Sequence, residues 1–247
     1  MIRCLSIIIL IVVSLVASFP DDIPRCHAGD TACITRTAQA LLKTHAKTGY
    51  PSLGFPVVEP FFLKHFEIGD GRNQGNINLK LKFKDVTVSG LSDVKIENTV
   101  GFTEDPTTSK FEMFYTFSKI NIKGKYVADG RILILPIQGD GDSEINLINT
   151  KAAIKFKPKV TKKDGRLFLD VDKLKVYLDP ERMQIKLTNL FNGDKALGSN
   201  LNIFLNENWK DVWTELQPSI HSAIAEVMKS IMKNIFIKFS YEELFLE

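Results

Sequence analysis

The hydrophobic repeat of this chain changes late in the sequence, and the change limits the folds that the chain can adopt. Between Ile77 and Leu187 apolar residues alternate with polar ones, for example in 183–187 (MQIKL). A period of two is typical of antiparallel strands with one apolar and one polar face. From Trp209 to Phe236 apolar residues recur every three or four positions, which predicts an amphipathic helix of about 30 residues and roughly 45 Å. Because each element has one apolar face, we expect the helix to pack against the sheet.

Two other roles for this helix are less consistent with its sequence. Its apolar spacing is not the clean heptad that a separate coiled coil requires. Its polar face carries mixed charges, whereas a helix that lies on a membrane surface is normally strongly basic. Pro218 falls inside the helix and should bend it or remove one hydrogen bond.

Short stretches rich in Gly, Asp and Asn divide the strand region and predict turns. The predicted turns are 104–106, 128–130, 139–142, 163–165 and 192–194. The last of them is expected to close the final strand pair, after which Gly198 would free the backbone to enter the helix. Asn200 or Asn202 is then expected to cap the first turn of that helix.

The first residues have the pattern of a secretory signal peptide. Arg3 precedes an apolar run from Leu5 to Val16, and small residues follow it before the expected cleavage at Phe19. The run is shorter than the roughly 20 residues of a transmembrane helix, although an uncleaved signal anchor is the alternative. We therefore expect a signal peptide over 1–18 and a single secreted domain over 19–247. No further apolar stretch is long enough to cross a bilayer, so stable membrane insertion is not expected.

Two cysteines, Cys26 and Cys33, remain after this cleavage, and in a secreted chain they are expected to form one disulfide. The segment 34–49 that follows has helical spacing and predicts a short helix ending at Gly49. The four histidines are scattered, so neither a metal site nor another cofactor site is expected. The formal net charge of +3 is close to neutral and argues against a nucleic-acid partner.

The sequence contains no pattern that indicates an enzyme. It lacks the Gly-x-Ser-x-Gly elbow of many esterases, the His-Glu-x-x-His zinc motif and the P-loop. Residues 139–144 (GDGDSE) do not fit a phosphate loop, because Glu144 stands where a third Gly is needed. They do not fit a calcium loop either, because Ile145 occupies the required Gly position. Their composition favours a hairpin turn.

Three segments resemble the insect takeout and juvenile-hormone-binding proteins. They are 24–33 (PRCHAGDTAC), 130–147 (GRILILPIQGDGDSEINL) and 187–209 (LTNLFNGDKALGSNLNIFLNENW). The match runs over essentially the whole mature chain in the order of the family. The hormone-binding branch is expected to carry a second disulfide, for which this chain has no cysteines, so the chain is more similar to the takeout branch.

The resemblance implies an α+β fold of the tubular lipid-binding class, in which a strongly curved antiparallel sheet wraps one long helix. It also implies a hydrophobic tunnel for a terpenoid, a fatty-acid derivative or an isoprenoid. Our candidate lining residues come from the predicted apolar faces, and ordinary core packing is the alternative for each. They are Phe83, Phe111, Met113, Tyr115, Phe117, Ile134 and Met183 on strands, and Trp213, Leu216, Ile220, Ile224, Val227, Met228 and Ile231 on the helix. Tyr126 is expected either to offer its hydroxyl to a ligand carbonyl or epoxide, or to bond the backbone.

The sequence therefore predicts a secreted carrier of a lipophilic small molecule, with a receptor or membrane as a further partner for delivery. The alternative is a membrane-interacting lipid-transfer or defence protein of the same broad fold. A lipid-cleaving enzyme would need a catalytic triad, for which the sequence shows no signature.

Overall fold

The computed structural model describes residues 19–68 and 78–246. The predicted signal peptide, 1–18, and Ile77, the predicted start of the strand region, lie outside these ranges. The strands are β1 (Cys26–His27), β2 (Phe61–Ile68), β3 (Asn78–Ser89), β4 (Lys95–Val100), β5 (Phe111–Ile132), β6 (Leu135–Lys163), β7 (Arg166–Leu187) and β8 (Phe245–Leu246). The helices are α1 (Thr31–His45), α2 (Lys195–Glu207), α3 (Trp209–Phe236) and α4 (Tyr241–Leu244), with a 3₁₀ turn at Phe191–Gly193.

One antiparallel sheet forms most of the described structure. Its strands follow the order β2-β3-β5-β6-β7, and β4 pairs with the first part of β5. The strands β5 and β6 are 22 and 29 residues long. The meander that the period of two predicts is therefore confirmed.

The helix α3 closes the open side of this sheet. It has 28 residues and contains Pro218, so the predicted long helix is confirmed. Its backbone lies closest to β7 and β2, which are the two edges of the sheet. One helix can lie beside both edges because the sheet curves around it, as expected for an α+β tubular fold.

Two of the predicted turns are wrong. Residues 128–130 lie within β5 and 139–142 lie within β6, while the hairpin turn between these strands is at Leu133 and Ile134. The glycines of β6 serve a close approach instead, because a Cβ at Gly139 would lie 2.5 Å from the Tyr126 hydroxyl oxygen. The predicted turns at 104–106 and 163–165 are confirmed.

The start of α2 also differs from the expectation. The helix begins at Lys195, and the Asp194 carboxylate caps it by accepting from the N–H groups of Ala196 and Leu197 at 3.0 Å. Gly198 lies inside α2, and Asn202 bonds β7 instead of capping the helix. The turn 192–194 therefore leads into α2, and α3 follows it after Asn208.

The N-terminal segment joins the two ends of the described chain. The predicted disulfide between Cys26 and Cys33 is present, and Asp30 caps the N-terminus of α1. Cys26 lies in β1, which pairs in parallel with β8. The Gln39 side chain of α1 donates to the Val94 carbonyl and accepts from the Ile96 N–H. These bonds hold α1 against β4.

Candidate functional site

Cross-strand pairs define which side chains of β5 and β6 face α3. Phe111 lies opposite Phe156, and the Phe156 ring is 6.0 Å from that of Phe236 on α3. Residues directly opposite each other in an antiparallel pair share a face of the sheet. The next pairs on this concave face, at alternate positions, are Met113 with Ile154, Tyr115 with Ala152 and Phe117 with Thr150.

Apolar side chains close the interior at each end of α3. The first end cluster packs Trp209, Val212, Trp213 and Leu216 of α3 against α2 and strands β3, β5, β6 and β7. The second end cluster packs Met232 and Phe236 with aromatic residues that include Phe111, Phe156 and Tyr241. Among the described residues, the first end cluster contains 19 buried side chains and the second contains eight, so each end has a buried apolar core.

The section between these clusters, which we call the middle section, is packed differently. Ile154, Val176 and Ala225 are buried there, while the apolar side chains around them are only partly buried. These partly buried residues are Met113, Tyr115, Leu174, Leu178, Ile224 and Met228. Between Ile220 and Met232, which pack in the two end clusters, the helix rises roughly 18 Å at 1.5 Å per residue. Ile224 and Met228 lie within this span and belong to the middle section.

Tyr115 combines partial exposure with a hydroxyl that lies in a buried environment. Its side chain keeps accessible surface, although it points from the concave face toward α3. Burial nevertheless raises the pKa of its hydroxyl well above the ordinary value.

The predicted lining residues fall into three groups, two of which share Met113. Those in or against the first end cluster are Phe83, Phe117, Met183, Trp213, Leu216 and Ile220. Those in or against the second end cluster are Phe111 and Met113, and those against the middle section are Met113, Tyr115, Ile224 and Met228. Val227 and Ile231 are half-buried on α3 and lie outside these clusters of the described residues.

Ile134 does not belong to this interior. It lies in the turn between β5 and β6 and is 84% exposed, so the structure contradicts its prediction as a lining residue. The error follows from placing the turn at 139–142, which assigned Ile134 to the apolar face of a strand.

Tyr126 bonds the backbone, which is the second of the two roles expected for it. Its hydroxyl donates to the Thr188 carbonyl at 2.7 Å, and its side chain is buried in the first end cluster. Burial, with a smaller effect of the Asp140 charge, raises the pKa of Tyr126 to about 12. This hydrogen bond therefore ties Thr188, which follows β7, to Tyr126 of β5.

Two polar residues that the sequence did not single out as site residues face the interior or its rim. Thr150 lies on the concave face, and His221 on α3 bonds Leu178 of β7. The alternation of Thr150, Ala152, Ile154 and Phe156 was a usable signal for the first of these residues. The bonds of His221 and of Asn202 to a strand edge depend on the tertiary arrangement, so the local sequence carries no signal for them.

A polar depression of about 490 Å³ lies on the outer face of β3, β5 and β6, away from the interior. Its rim includes Lys123 and Lys125, which form ion pairs with Glu144 and Asp142. Paired, solvated charges are unsuited to an apolar ligand. Within the described residues, no group of three or more His, Cys, Asp or Glu could hold a metal ion. None of the helices described is both long and apolar enough to cross a membrane.

Comparison with known proteins gives the same picture of the fold. The family model described as haemolymph juvenile hormone binding protein matches residues 4–246. The circadian clock-controlled protein daywake of Drosophila melanogaster is 29% identical over 231 residues, which are 92% of this chain and 88% of that protein. Its counterpart in Drosophila yakuba is 28% identical over the same length.

The crystal structure of Epiphyas postvittana Takeout 1 superposes with a TM-score of 0.76 at 30% identity. The superposition covers 90% of this chain and 99% of the Takeout 1 chain. A curled antiparallel sheet closed by one long helix is therefore shared with a solved takeout protein. The family match and this shared fold confirm the resemblance that the three sequence segments indicated: the chain belongs to the haemolymph juvenile hormone binding protein family.

Proposed function

We propose that this protein is a secreted carrier that binds a lipophilic small molecule between α3 and the concave face of the sheet. The proposal is supported mainly by the packing of the middle section. Tyr115, Ile224 and Met228 keep accessible surface there, although they face inward. An apolar ligand would cover this surface and complete the packing that the two end clusters already have.

The energetics favour such a ligand. Burial of apolar surface contributes about 25 cal/mol per Å² before the entropic costs of binding. A ligand that buries roughly 400 Å² would therefore gain about 10 kcal/mol of gross free energy. The flexible side chains of Met113 and Met228 can adapt to an irregular ligand shape.

Secretion is supported by the signal-peptide pattern of 1–18 and by the disulfide between Cys26 and Cys33. Disulfides persist mainly in oxidising compartments outside the cytosol. The family description names haemolymph, which is an extracellular fluid. A carrier there would move an apolar molecule through water to a receptor or a membrane.

Binding can be tested with protein whose lipids have been removed by organic extraction. Fluorescence titration with N-phenyl-1-naphthylamine should show saturable uptake, and native mass spectrometry before extraction should show a bound lipid. Ile224→Trp adds a large side chain to the middle section and should lower probe affinity at least tenfold. Ile203→Trp on the exposed face of α2 is the matched control. No uptake by the wild type, or equal affinity of the wild type and Ile224→Trp, would exclude this site.

A further inference from the structure

Two hydroxyl groups in the apolar interior lack a good hydrogen-bond acceptor. The Thr150 side chain is fully buried, at 0% exposure, and its Oγ1 has no hydrogen-bond partner among the described residues. A buried hydroxyl without a partner is costly, and native interiors keep few of them without a reason.

The second hydroxyl belongs to Tyr115. Its oxygen donates to the Met113 sulfur at 3.2 Å, and a thioether is a weak acceptor. Burial raises the pKa of Tyr115, so the phenol keeps its proton at neutral pH and remains a donor. An acceptor stronger than the thioether would form a more favourable hydrogen bond with the Tyr115 hydroxyl.

The sheet register places the two hydroxyl-bearing residues side by side. Tyr115 pairs with Ala152, and Thr150 pairs with Phe117, so Tyr115 and Thr150 are diagonal neighbours on the concave face. Diagonal neighbours of this kind lie roughly 7–8 Å apart. Ala152 pairs in turn with Leu178 of β7, which contacts both the middle section and the first end cluster. The two hydroxyl-bearing residues therefore lie part-way along the interior, where the middle section meets the first end cluster.

We propose that the molecule bound in this interior carries a carbonyl-type oxygen within its chain, and that Tyr115 donates the hydrogen bond that fixes it. This inference rests on the proposed function and names the ligand class more narrowly. Tyr115 is the first donor because its side chain keeps accessible surface. Thr150 is the second donor, because its Oγ1 is buried beside this position and has no hydrogen-bond partner among the described residues. A pure hydrocarbon would offer no hydrogen-bond acceptor to either hydroxyl.

A matched pair of probes separates the contribution of the ligand oxygen to the affinity from that of the hydrocarbon chain. Heptadecane and 9-heptadecanone have the same chain length and differ by one carbonyl, and each can compete with N-phenyl-1-naphthylamine for the delipidated protein. Tyr115→Phe should weaken 9-heptadecanone about tenfold, the effect of one neutral hydrogen bond, and leave heptadecane unchanged. Tyr177→Phe, on the exposed face of β7, is the control and should change neither.

Thr150→Val is an independent second variant with nearly the same volume. It should weaken 9-heptadecanone severalfold, and it should not lower the midpoint of urea unfolding of the ligand-free protein, because it removes an unpaired hydroxyl. Equal loss of both probes in Tyr115→Phe, or no loss of 9-heptadecanone in either variant, would overturn the proposed anchor. If the wild type takes up neither probe, the carrier function itself fails, which is a separate result.

Discussion

His221 on α3 accepts a hydrogen bond of 3.0 Å at its Nε2 from the backbone N–H of Leu178 on β7. On α2, Asn202 and Asn206 make two-way bonds of the same kind to Leu187 and Ile185. Strand β7 is an edge of the sheet, and these side chains take the place of a neighbouring strand. The helices are thus fixed to the sheet edge by hydrogen bonds, while the surface between them and the inner strands stays apolar.

The His221 contact predicts a stability that depends on pH. Burial lowers the pKa of His221, and the Leu178 carbonyl opposes this effect only in part. Below the ordinary pKa of about 6.5 the unfolded chain binds a proton that the folded protein does not bind. The contribution of neutral His221 is therefore complete above about pH 6.5 and is lost as the pH falls toward its lower folded pKa.

His221→Gln should reduce the loss of stability between pH 7 and pH 5.5, as measured by urea unfolding at a series of pH values. The Gln side chain can still accept from Leu178 but does not titrate. His65→Gln, at an exposed position of β2, should leave the pH dependence of the wild type intact. If the free energy of unfolding of wild type and His221→Gln depends on pH in the same way, His221 does not cause the pH dependence.

The asparagine contacts predict a difference between two similar substitutions on α2. Asn202→Ala leaves the N–H and C=O of Leu187 without these partners, so the free energy of unfolding should fall by about 1–3 kcal/mol. Asn200→Ala, at an exposed position of the same helix, should change it by less than about 0.5 kcal/mol. Chemical denaturation of both variants checks this prediction, and equal losses would show that the bonds to β7 contribute nothing specific.

Substitution of alanine for each of two glycines should change the stability of the protein in opposite directions. A Cβ at Gly141 would lie 2.5 Å from the Thr188 carbonyl oxygen, so Gly141→Ala should destabilise the protein by about 1–3 kcal/mol. At Gly198, inside α2, a Cβ would approach Leu190 no closer than 3.5 Å. Gly198→Ala should therefore stabilise the protein by about 0.5–1 kcal/mol through helix propensity. Thermal unfolding of the two variants should shift in opposite directions, and a stable Gly141→Ala protein would contradict the packing at Thr188.

The sequence predicted the long elements because each has one apolar face of regular period. The strand region and α3 were recognisable for this reason, whereas β2 was not, since its alternation breaks at Lys64 and His65. The turns were less predictable, because a glycine in the sequence can indicate either a turn or a site where another part of the chain approaches the backbone closely. At Gly139 and Gly141 the cause is the approach of Tyr126 and Thr188, which lie 13 or more positions away.

The candidate site was only partly predictable because irregularities reverse the faces of the long strands. Phe117 and Ile120 both face the first end cluster, so the alternation of β5 shifts by one residue between them. Opposite this point in β6, Asn149 has a φ of 45°. The apolar spacing marks this shift, since odd positions are apolar up to Phe117 and even positions are apolar from Ile120. The spacing does not show the orphan hydroxyl of Thr150, which lies directly beside the shift.

The position of a bromine atom in crystals of delipidated protein grown with 1-bromohexadecane would locate the bound ligand directly. Anomalous diffraction locates bromine without reference to the protein density. If the ligand binds as proposed, one bromine peak should be enclosed between α3 and the concave face of β5, β6 and β7, with the alkyl chain passing Tyr115 and Ile224. Bromine bound only on the outer surface, with protein side chains filling the middle section, would contradict the proposed binding site.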